Sequence, residues 1–323
     1  MHSSTLLEVK DLRVYFYTYA GVVKAVDGVS FSVRRGEILC VVGETGCGKS
    51  VMSRAITRMV KPPGKIVSGE VLFNGIDLLK LPEKELKKIR GREISYIYQD
   101  PGSVLDPLYT AGFHVAETVL THSSSMKFSE AWEKAIRIFR EVLIPDPEAK
   151  AKSYPHELSG GMKQRVVIAT AIANTPKLVI ADEPTTALDV TVQAQVMELI
   201  KSLRDKYSSS VMLITHNLGV VAEVCDRVVV MYAGKIVEAA FIEELFTNPL
   251  HPYTQGLLEA VPNPLRKIER LRSIHGSVPN MIDLPKGCRF NPRCPYAFKL
   301  CNEEPVLMEY SKDHLVSCWL YRR

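Results

Sequence analysis

The chain has 323 residues, 46% of them hydrophobic and 24% charged, with a formal net charge of +5. That size and apolar content allow one large or two modest cores, and no run reaches the roughly 18 uncharged apolar residues that a membrane-spanning helix requires. The start, MHSSTLLEVKDL, lacks the charged, apolar and small-residue succession of a secretory signal. The chain is therefore expected in the cytoplasm, reaching a membrane only by docking on another protein.

The charge is uneven. Residues 261–323 hold 11 Lys and Arg against 6 Asp and Glu, which accounts for the whole +5, whereas the first 260 residues balance at 30 against 30. The same span has seven of the 19 prolines and four of the seven cysteines. This shift predicts a separate carboxyl-terminal module, 261–323, behind a main domain of 6–260. Its basic balance reads as a solvated face and not as a nucleic-acid footprint.

In chain order, strand-like runs occur at LEVKDLRVYF, AVDGVSFSV, EILCVVG, GEVLFNG, EISYIYQ, KLVIAD, SVMLIT and RVVVMYAGKIVE. Helical periodicity falls at 49–60, 130–143, 160–174, 190–206 and 218–225. Strands followed by helices predict an α/β fold with a largely parallel sheet. EILCVVG and KLVIAD, apolar throughout, suit central strands covered on both faces. From about 101 to 176 the pattern turns helical, as if a helical lobe were inserted.

GETGCGKS, 43–50, fits G-x-x-x-x-G-K-[ST] and stands between a strand and a helix, the context that gives this pattern meaning. Gly43, Gly46 and Gly48 let the backbone curl so that N–H groups of the loop, from Gly43, Glu44, Thr45, Gly46, Cys47, Gly48, Lys49, Ser50 and Val51, surround one anion at a positive helix end. Lys49 would reach the β- and γ-phosphates and the Ser50 hydroxyl would ligate Mg²⁺. KLVIADEP supplies the partner: Asp182 at a strand end can hold Mg²⁺ through water, and Glu183 can orient or deprotonate the attacking water. Without the loop, the same two acids would read as a solvated pair.

LSGGMKQR, 158–165, looks like a second phosphate-binding turn in a chain that already has one. GETGCGKS, Gln99 in IYQDP, LSGGMKQR, LVIADEP, TALD at 186–189 and His216 in LITHN stand in the order and approximate spacing of ABC-type ATPase domains, which residues 6–260 resemble. The resemblance implies a P-loop NTPase (RecA-like) core with an antiparallel β subdomain and a helical subdomain. It also implies that two ATPase domains pair head to tail, each ATP lying between the phosphate loop of one and the signature turn of the other. Ser159, Gly160 and Gly161, opening a helix, suit that role as a second anion-binding end. The resemblance assigns Gln99 to sensing the γ-phosphate and Mg²⁺ and to coupling with a transmembrane partner. It assigns His216 to the γ-phosphate and to positioning Glu183 and water, and Asp189 to communication across the pair. Singly, each of these residues reads equally as surface or capping chemistry. For adenine stacking the choice is Tyr19 in YFYTYAG, then Tyr17, with core packing as the competing role.

Two departures from the family pattern are expected to matter. Met162 replaces a glutamine in the signature, as in the peptide and nickel importer branch. Cys47 replaces a serine, and a thiol at a helix N-terminus is expected to have a lowered pKa and to react readily.

NPLHPYTQGLLEAVP, 248–262, followed by a cysteine-bearing end, resembles the carboxyl-terminal region of oligopeptide, dipeptide and nickel importer ATPases. That branch implies two transmembrane permease subunits, two ATPase subunits, identical or homologous, and an extracytoplasmic peptide-binding protein, with this chain peripheral on the cytoplasmic face. Cys288, Cys294, Cys301 and Cys318 lack the tight pairs usual for zinc, and a chain working in the cytoplasm disfavours disulfides. A 4Fe–4S cluster is the favoured reading, with Arg289 and Arg293 offsetting thiolate charge. Zinc and unliganded buried thiols stay as alternatives. Cys40 and Cys225, in apolar runs, read as core. The expected function is ATP hydrolysis driving import of di- or oligopeptides. The alternatives are a nickel or other small-solute importer and a soluble ABC ATPase acting on nucleic acid or the ribosome. Against the last stand a single cassette and a basic charge confined to the tail.

Overall fold

The computed structural model describes residues 5–123, 125–186, 188–261 and 274–322. The chain divides into two compact units, one formed by 1–80 with 214–323, the other by 81–213.

The first unit opens with long strands β1 (Thr5–Thr18) and β2 (Gly21–Arg34), then the short β3 (Ile38–Val42), helix α1 (Lys49–Ile56), and strands β4 (Gly64–Phe73) and β5 (Ile76–Asp77). β1 pairs antiparallel with β2, Val14 facing Val26, and with β4, Val9 facing Val71, in a sheet of order β2-β1-β4-β5. This is the antiparallel subdomain. Along β1 Leu7, Val9, Leu12 and Val14 are all at most 1% exposed; Leu7 and Val9 alternate with their neighbours, a register shift falls between Val9 and Leu12, and Leu12 and Val14 resume the buried face.

The second unit follows with helices α2 (Glu83–Ile89), α3 (Pro101–Val104), α4 (Ala111–Thr121), α5 (Phe128–Glu141), α6 (Pro147–Lys150), α7 (Gly160–Ile172) and α8 (Val190–Tyr207), and strands β6 (Ile94–Ile97), β7 (Leu178–Asp182) and β8 (Ser210–Ile214). β6 and β7 run parallel, Ile97 beside Ala181. Every residue of β7 and β8 is buried, so these runs are apolar without alternation. Helices α3 to α7 fall between β6 and β7 and form the expected helical lobe, packed around fully buried Val115, Val119 and Phe139. Arg165, in the signature helix, works inside this unit: its guanidinium donates to the Val142 carbonyl at 2.6 Å and to Gln195 at 3.0 Å, tying α7 to the end of α5 and to α8.

The chain returns to the first unit with α9 (Leu218–Val224), β9 (Arg227–Tyr232), β10 (Lys235–Phe241), α10 (Ile242–Thr247), α11 (Pro252–Glu259), β11 (Met308–Ser311) and β12 (His314–Val316). β3 lies parallel to β9, Val41 beside Val229. β9 turns into β10 through Ala233 and Gly234, both at positive φ. The tail adds its own strands to this framework: β12 pairs with β10, Glu238 facing Val316, and β11 with β12. A segment with few apolar residues is thereby held by borrowed backbone pairing. Val261, where the tail module is expected to begin, is described, whereas Pro262, the end of NPLHPYTQGLLEAVP, lies outside the described residues. Cys40 and Cys225 are in the core, at 0% and 6% exposure. Their Cα atoms lie 5.9 Å apart.

Candidate ATP site

The phosphate loop leaves β3 and enters α1 with Gly43, Gly46 and Gly48 at φ 152°, 84° and 106°, values that L side chains rarely adopt. A Cβ on Gly43 would collide with the Met231 carbonyl and one on Gly48 with the Ala25 carbonyl, whereas Gly46 faces open space. Two glycines are thus required by packing against β9 and β2, and one by conformation alone. The Lys49 ammonium, 5% exposed, folds back over the loop and donates to the carbonyls of Gly43 at 2.7 Å and Glu44 at 3.0 Å. The Thr215 N–H donates to Val41 of β3 at 3.2 Å, so the segment carrying the exposed His216 is hung from the strand that ends in the loop.

Cys47 corrects the sequence reading. Its side chain is fully buried under the loop against Gly43, with Sγ 3.8 Å from Lys49 Nζ. Burial pushes the thiol up, outweighing the lowering by Lys49. A helix N-terminus lowers a thiol pKa only where the thiolate can be solvated or paired; this one packs.

In the second unit, Gln99, Asp182 and Glu183 come together. Asp182, 1% exposed, ends β7 and accepts the Tyr96 hydroxyl at 2.8 Å. One carboxylate Oε of Glu183 accepts from Gln99 Nε2 at 3.2 Å and from Thr186 Oγ1 at 3.0 Å. Glu183 has φ 47°, an uncommon conformation for a residue with a side chain and one that concentrates at functional sites. Thr186 was not picked out from sequence, although its TALD context offered the signal.

The signature turn is capped by its own serine: Ser159 Oγ accepts the Met162 N–H at 3.3 Å at the start of α7, with Ser159 and Gly160 exposed. Asp189 caps α8 in the same way, accepting from Val192 N at 2.9 Å. A Cβ on Gly161 would press on Val192 at 3.0 Å, and Gly160 faces Leu188, so both helix starts share one region of the second unit. Tyr19 stands in the turn between β1 and β2, fully solvent-exposed, which removes core packing as its role. Tyr17 is half-exposed beneath the Lys65 ammonium.

The four tail cysteines share one region. Cys288 N donates to Cys301 O at 3.0 Å. Burial raises the pKa of Cys288, of Cys294 and of Cys318, the last to about 11. Cys288 is raised further by Cys301 and Cys294, Cys294 by Cys301, and Cys318 by all three. Yet among the described residues no group of three or more His, Cys, Asp or Glu is arranged to hold a metal ion. Neither iron–sulfur nor zinc is supported by this arrangement. Arg289 and Arg293 are committed elsewhere and do not neutralise thiolates: Arg289 pairs with Asp27, and Arg293 with Glu44 at 2.7 Å.

Among the described residues no helix is long and apolar enough to cross a membrane. Residues 26–186 match the ABC transporter family model, and residues 237–301 match the model for the oligopeptide/dipeptide transporter C-terminal region. A probable peptide ABC transporter ATP-binding protein of Sinorhizobium fredii is 49% identical over 97% of this chain and 94% of its own. An oligopeptide transport ATP-binding protein of Bacillus subtilis is 48% identical over 98% and 97%. The dimeric ATP-binding cassette MJ0796, in a post-hydrolysis state with ADP and Pi, superposes with a TM-score of 0.66 at 28% identity, covering 73% of this chain and 98% of that one. A strand ending in a phosphate loop, an acidic pair after β7, a capped signature helix and nearly full-length identity converge: the chain belongs to the ABC transporter ATP-binding proteins, an ATPase family, in their oligopeptide and dipeptide branch.

Proposed function

We propose that this chain energises an importer of di- or oligopeptides by hydrolysing ATP between two ATPase subunits. The observation that carries the reading is that a single chain holds both a formed phosphate loop and an exposed, serine-capped signature turn. A lone chain needs only the first. The similarity to a cassette that is dimeric with ADP and Pi supports the pairing, and the relatives named for peptide transport support the cargo class.

In this reading Gly43 to Val51 hold the phosphates, Lys49 releases its loop carbonyls to take the β- and γ-oxygens, and Tyr19 stacks on adenine. Mg²⁺ is commonly bound by one or two carboxylates plus substrate phosphates; Asp182, Gln99 and Ser50 would hold it here, and the ion would supply charge neutralisation at the transferring phosphoryl group. Glu183 takes the proton of the attacking water, held in aim by Gln99 and Thr186, while His216 orients both Glu183 and the γ-phosphate. Ser159, Gly160 and Gly161 of the second subunit close over the γ-phosphate, and Asp189 reports across the seam. ATP thus joins the subunits and its cleavage releases them.

The partners are two transmembrane permease subunits, which this chain meets at the cytoplasmic face of the membrane, a second ATPase subunit, identical or homologous, and through them an extracytoplasmic peptide-binding protein. The helical lobe offers exposed Val104, Leu108, Tyr109 and Phe128, with half-buried Phe113 and Trp132 completing the ring series at neighbouring centroids 4.6 to 6.2 Å apart, as a docking face near Gln99 in sequence. In the tail, the 4Fe–4S reading of Cys288, Cys294, Cys301 and Cys318, with zinc as its alternative, rests on their number and spacing in the sequence. Anaerobically purified protein that is brown and loses its colour on Cys294→Ser supports this; colourless protein with stoichiometric zinc contradicts it. Co-purification with two membrane proteins, and peptide-stimulated ATP turnover of that complex, tests the main reading. Salt-sensitive RNA or DNA binding instead would overturn it.

A further inference from the structure

The phosphate loop is gripped from outside by the carboxyl-terminal segment, and nothing in the catalytic scheme uses that grip. Glu44 follows the first glycine of the loop. Its backbone N–H donates to the Tyr253 hydroxyl at 2.8 Å, and its carboxylate accepts both guanidinium arms of Arg293, at 2.7 and 3.1 Å. Arg293 is itself immobilised. Its side chain is 6% exposed, its Nε donates to the His275 carbonyl at 2.8 Å, and an arm reaches the Gly276 carbonyl at 3.2 Å. The guanidinium lies over the rings of Tyr232 and Phe290, 5.7 and 5.9 Å from their centroids. A planar fork with its donors already satisfied in one orientation presents a fixed pair of N–H groups to the carboxylate. Tyr253 is fully buried, its ring 4.6 Å from that of Tyr232 and 5.5 Å from that of Phe290.

A second strut runs parallel. Arg289 holds Asp27 and the Ala233 carbonyl, and the next residue, Gly234, donates its N–H to the Cys47 carbonyl inside the loop at 2.8 Å. Two arginines four residues apart in the tail therefore brace both halves of the phosphate loop, one directly and one through the β9–β10 turn.

We infer that Arg293 and Tyr253 are positioning residues for ATP: they hold Glu44, and through it the loop backbone, in the shape that receives phosphate. They act through Glu44 and do not touch the nucleotide. The cysteine-bearing segment, with Cys294 next to Arg293 in the chain, is consequently part of the nucleotide site's support, so loss of order in the tail is felt as loss of ATP affinity. The inference rests on the reading of this chain as an ATPase.

The test is equilibrium binding of radiolabelled Mg·ATP to the full-length chain, together with KM and kcat for hydrolysis, for Arg293→Gln, Glu44→Gln, the double variant, Arg293→Lys and Tyr253→Phe. Loss of one charge-assisted contact is expected to weaken ATP binding and raise KM about tenfold, with kcat changed by less than about threefold. The double variant is expected to be no worse than either single, because both remove the same interaction. Arg293→Lys, which keeps charge but not the fork, falls between. Tyr253→Phe, which keeps the packed ring, weakens binding on its own and stands in should Arg293→Gln fail to fold. ATP affinity of Arg293→Gln and Tyr253→Phe within twofold of wild type, or additive losses in the double variant, would overturn the clamp. Wild-type protein that binds no Mg·ATP would instead sink the ATPase reading itself.

Discussion

Glu183 combines three properties that rarely coincide: a left-handed backbone, a position just past a buried strand, and a carboxylate oxygen already shared by Gln99 and Thr186. Those contacts fix its aim before any substrate arrives. Glu183→Gln keeps the shape and loses the base, so ATP binding should persist while hydrolysis falls by at least about 100-fold; turnover within a few-fold of wild type would remove Glu183 from that role. Cys47 leads to the opposite expectation from its sequence context. Because the side chain is buried and its pKa raised, maleimide should label Cys47 slowly in the native protein with or without ATP and quickly only after denaturation, as read by peptide mass spectrometry. The sequence identified the residues of the loop, but the sulfur's direction, inward against Gly43, depends on how β3, β9 and α1 meet.

At the scale of elements, long apolar runs were legible and short or long-range ones were not. The strands expected at EILCVVG and KLVIAD appear as Ile38–Val42 and Leu178–Asp182, and the helices expected at 160–174 and 190–206 appear as Gly160–Ile172 and Val190–Tyr207. These segments are specified by their own burial pattern. β12 has only three residues and exists because β10 offers an edge, information no local window contains. The Glu44–Arg293 pair joins positions 249 apart. The same region contains a buried polar knot that makes a pH prediction. Glu238 accepts the backbone N–H groups of Leu250 and His251 and pairs with His314 at 2.8 Å. The His251 ring accepts the Tyr253 N–H at 3.0 Å and is pushed down to about 4 by burial. A histidine with a folded pKa below its unfolded value of about 6.5 stabilises fully above that value and loses its contribution as pH falls toward 4, about 2 kcal/mol of it by pH 5. His314 has the opposite sign: burial alone would lower its pKa, but Glu238 and Glu244 raise it. Its contribution is therefore present below about pH 6.5 and lost as pH rises through its folded value. His251→Gln should make the fall in denaturant midpoint between pH 7 and pH 5 shallower than in wild type; an unchanged slope would contradict the assignment. In the helical lobe, Phe139→Ala empties a fully buried site and should cost about 3–5 kcal/mol in chemical denaturation.

For the whole molecule, the phosphate loop belongs to one compact unit of the chain and the acidic pair and signature turn to the other, and the proposal is that the signature turn of a second subunit completes the site. The measurement that tests this most directly is ATP turnover per chain across a dilution series, with the oligomeric state recorded at each point, for wild type and for Ser159→Arg. The account predicts that wild-type turnover per chain falls toward zero as pairs dissociate, and that Ser159→Arg binds ATP at its intact loop but does not turn it over at any concentration. Constant turnover in a verified monomer, undiminished by the signature substitution, would contradict it.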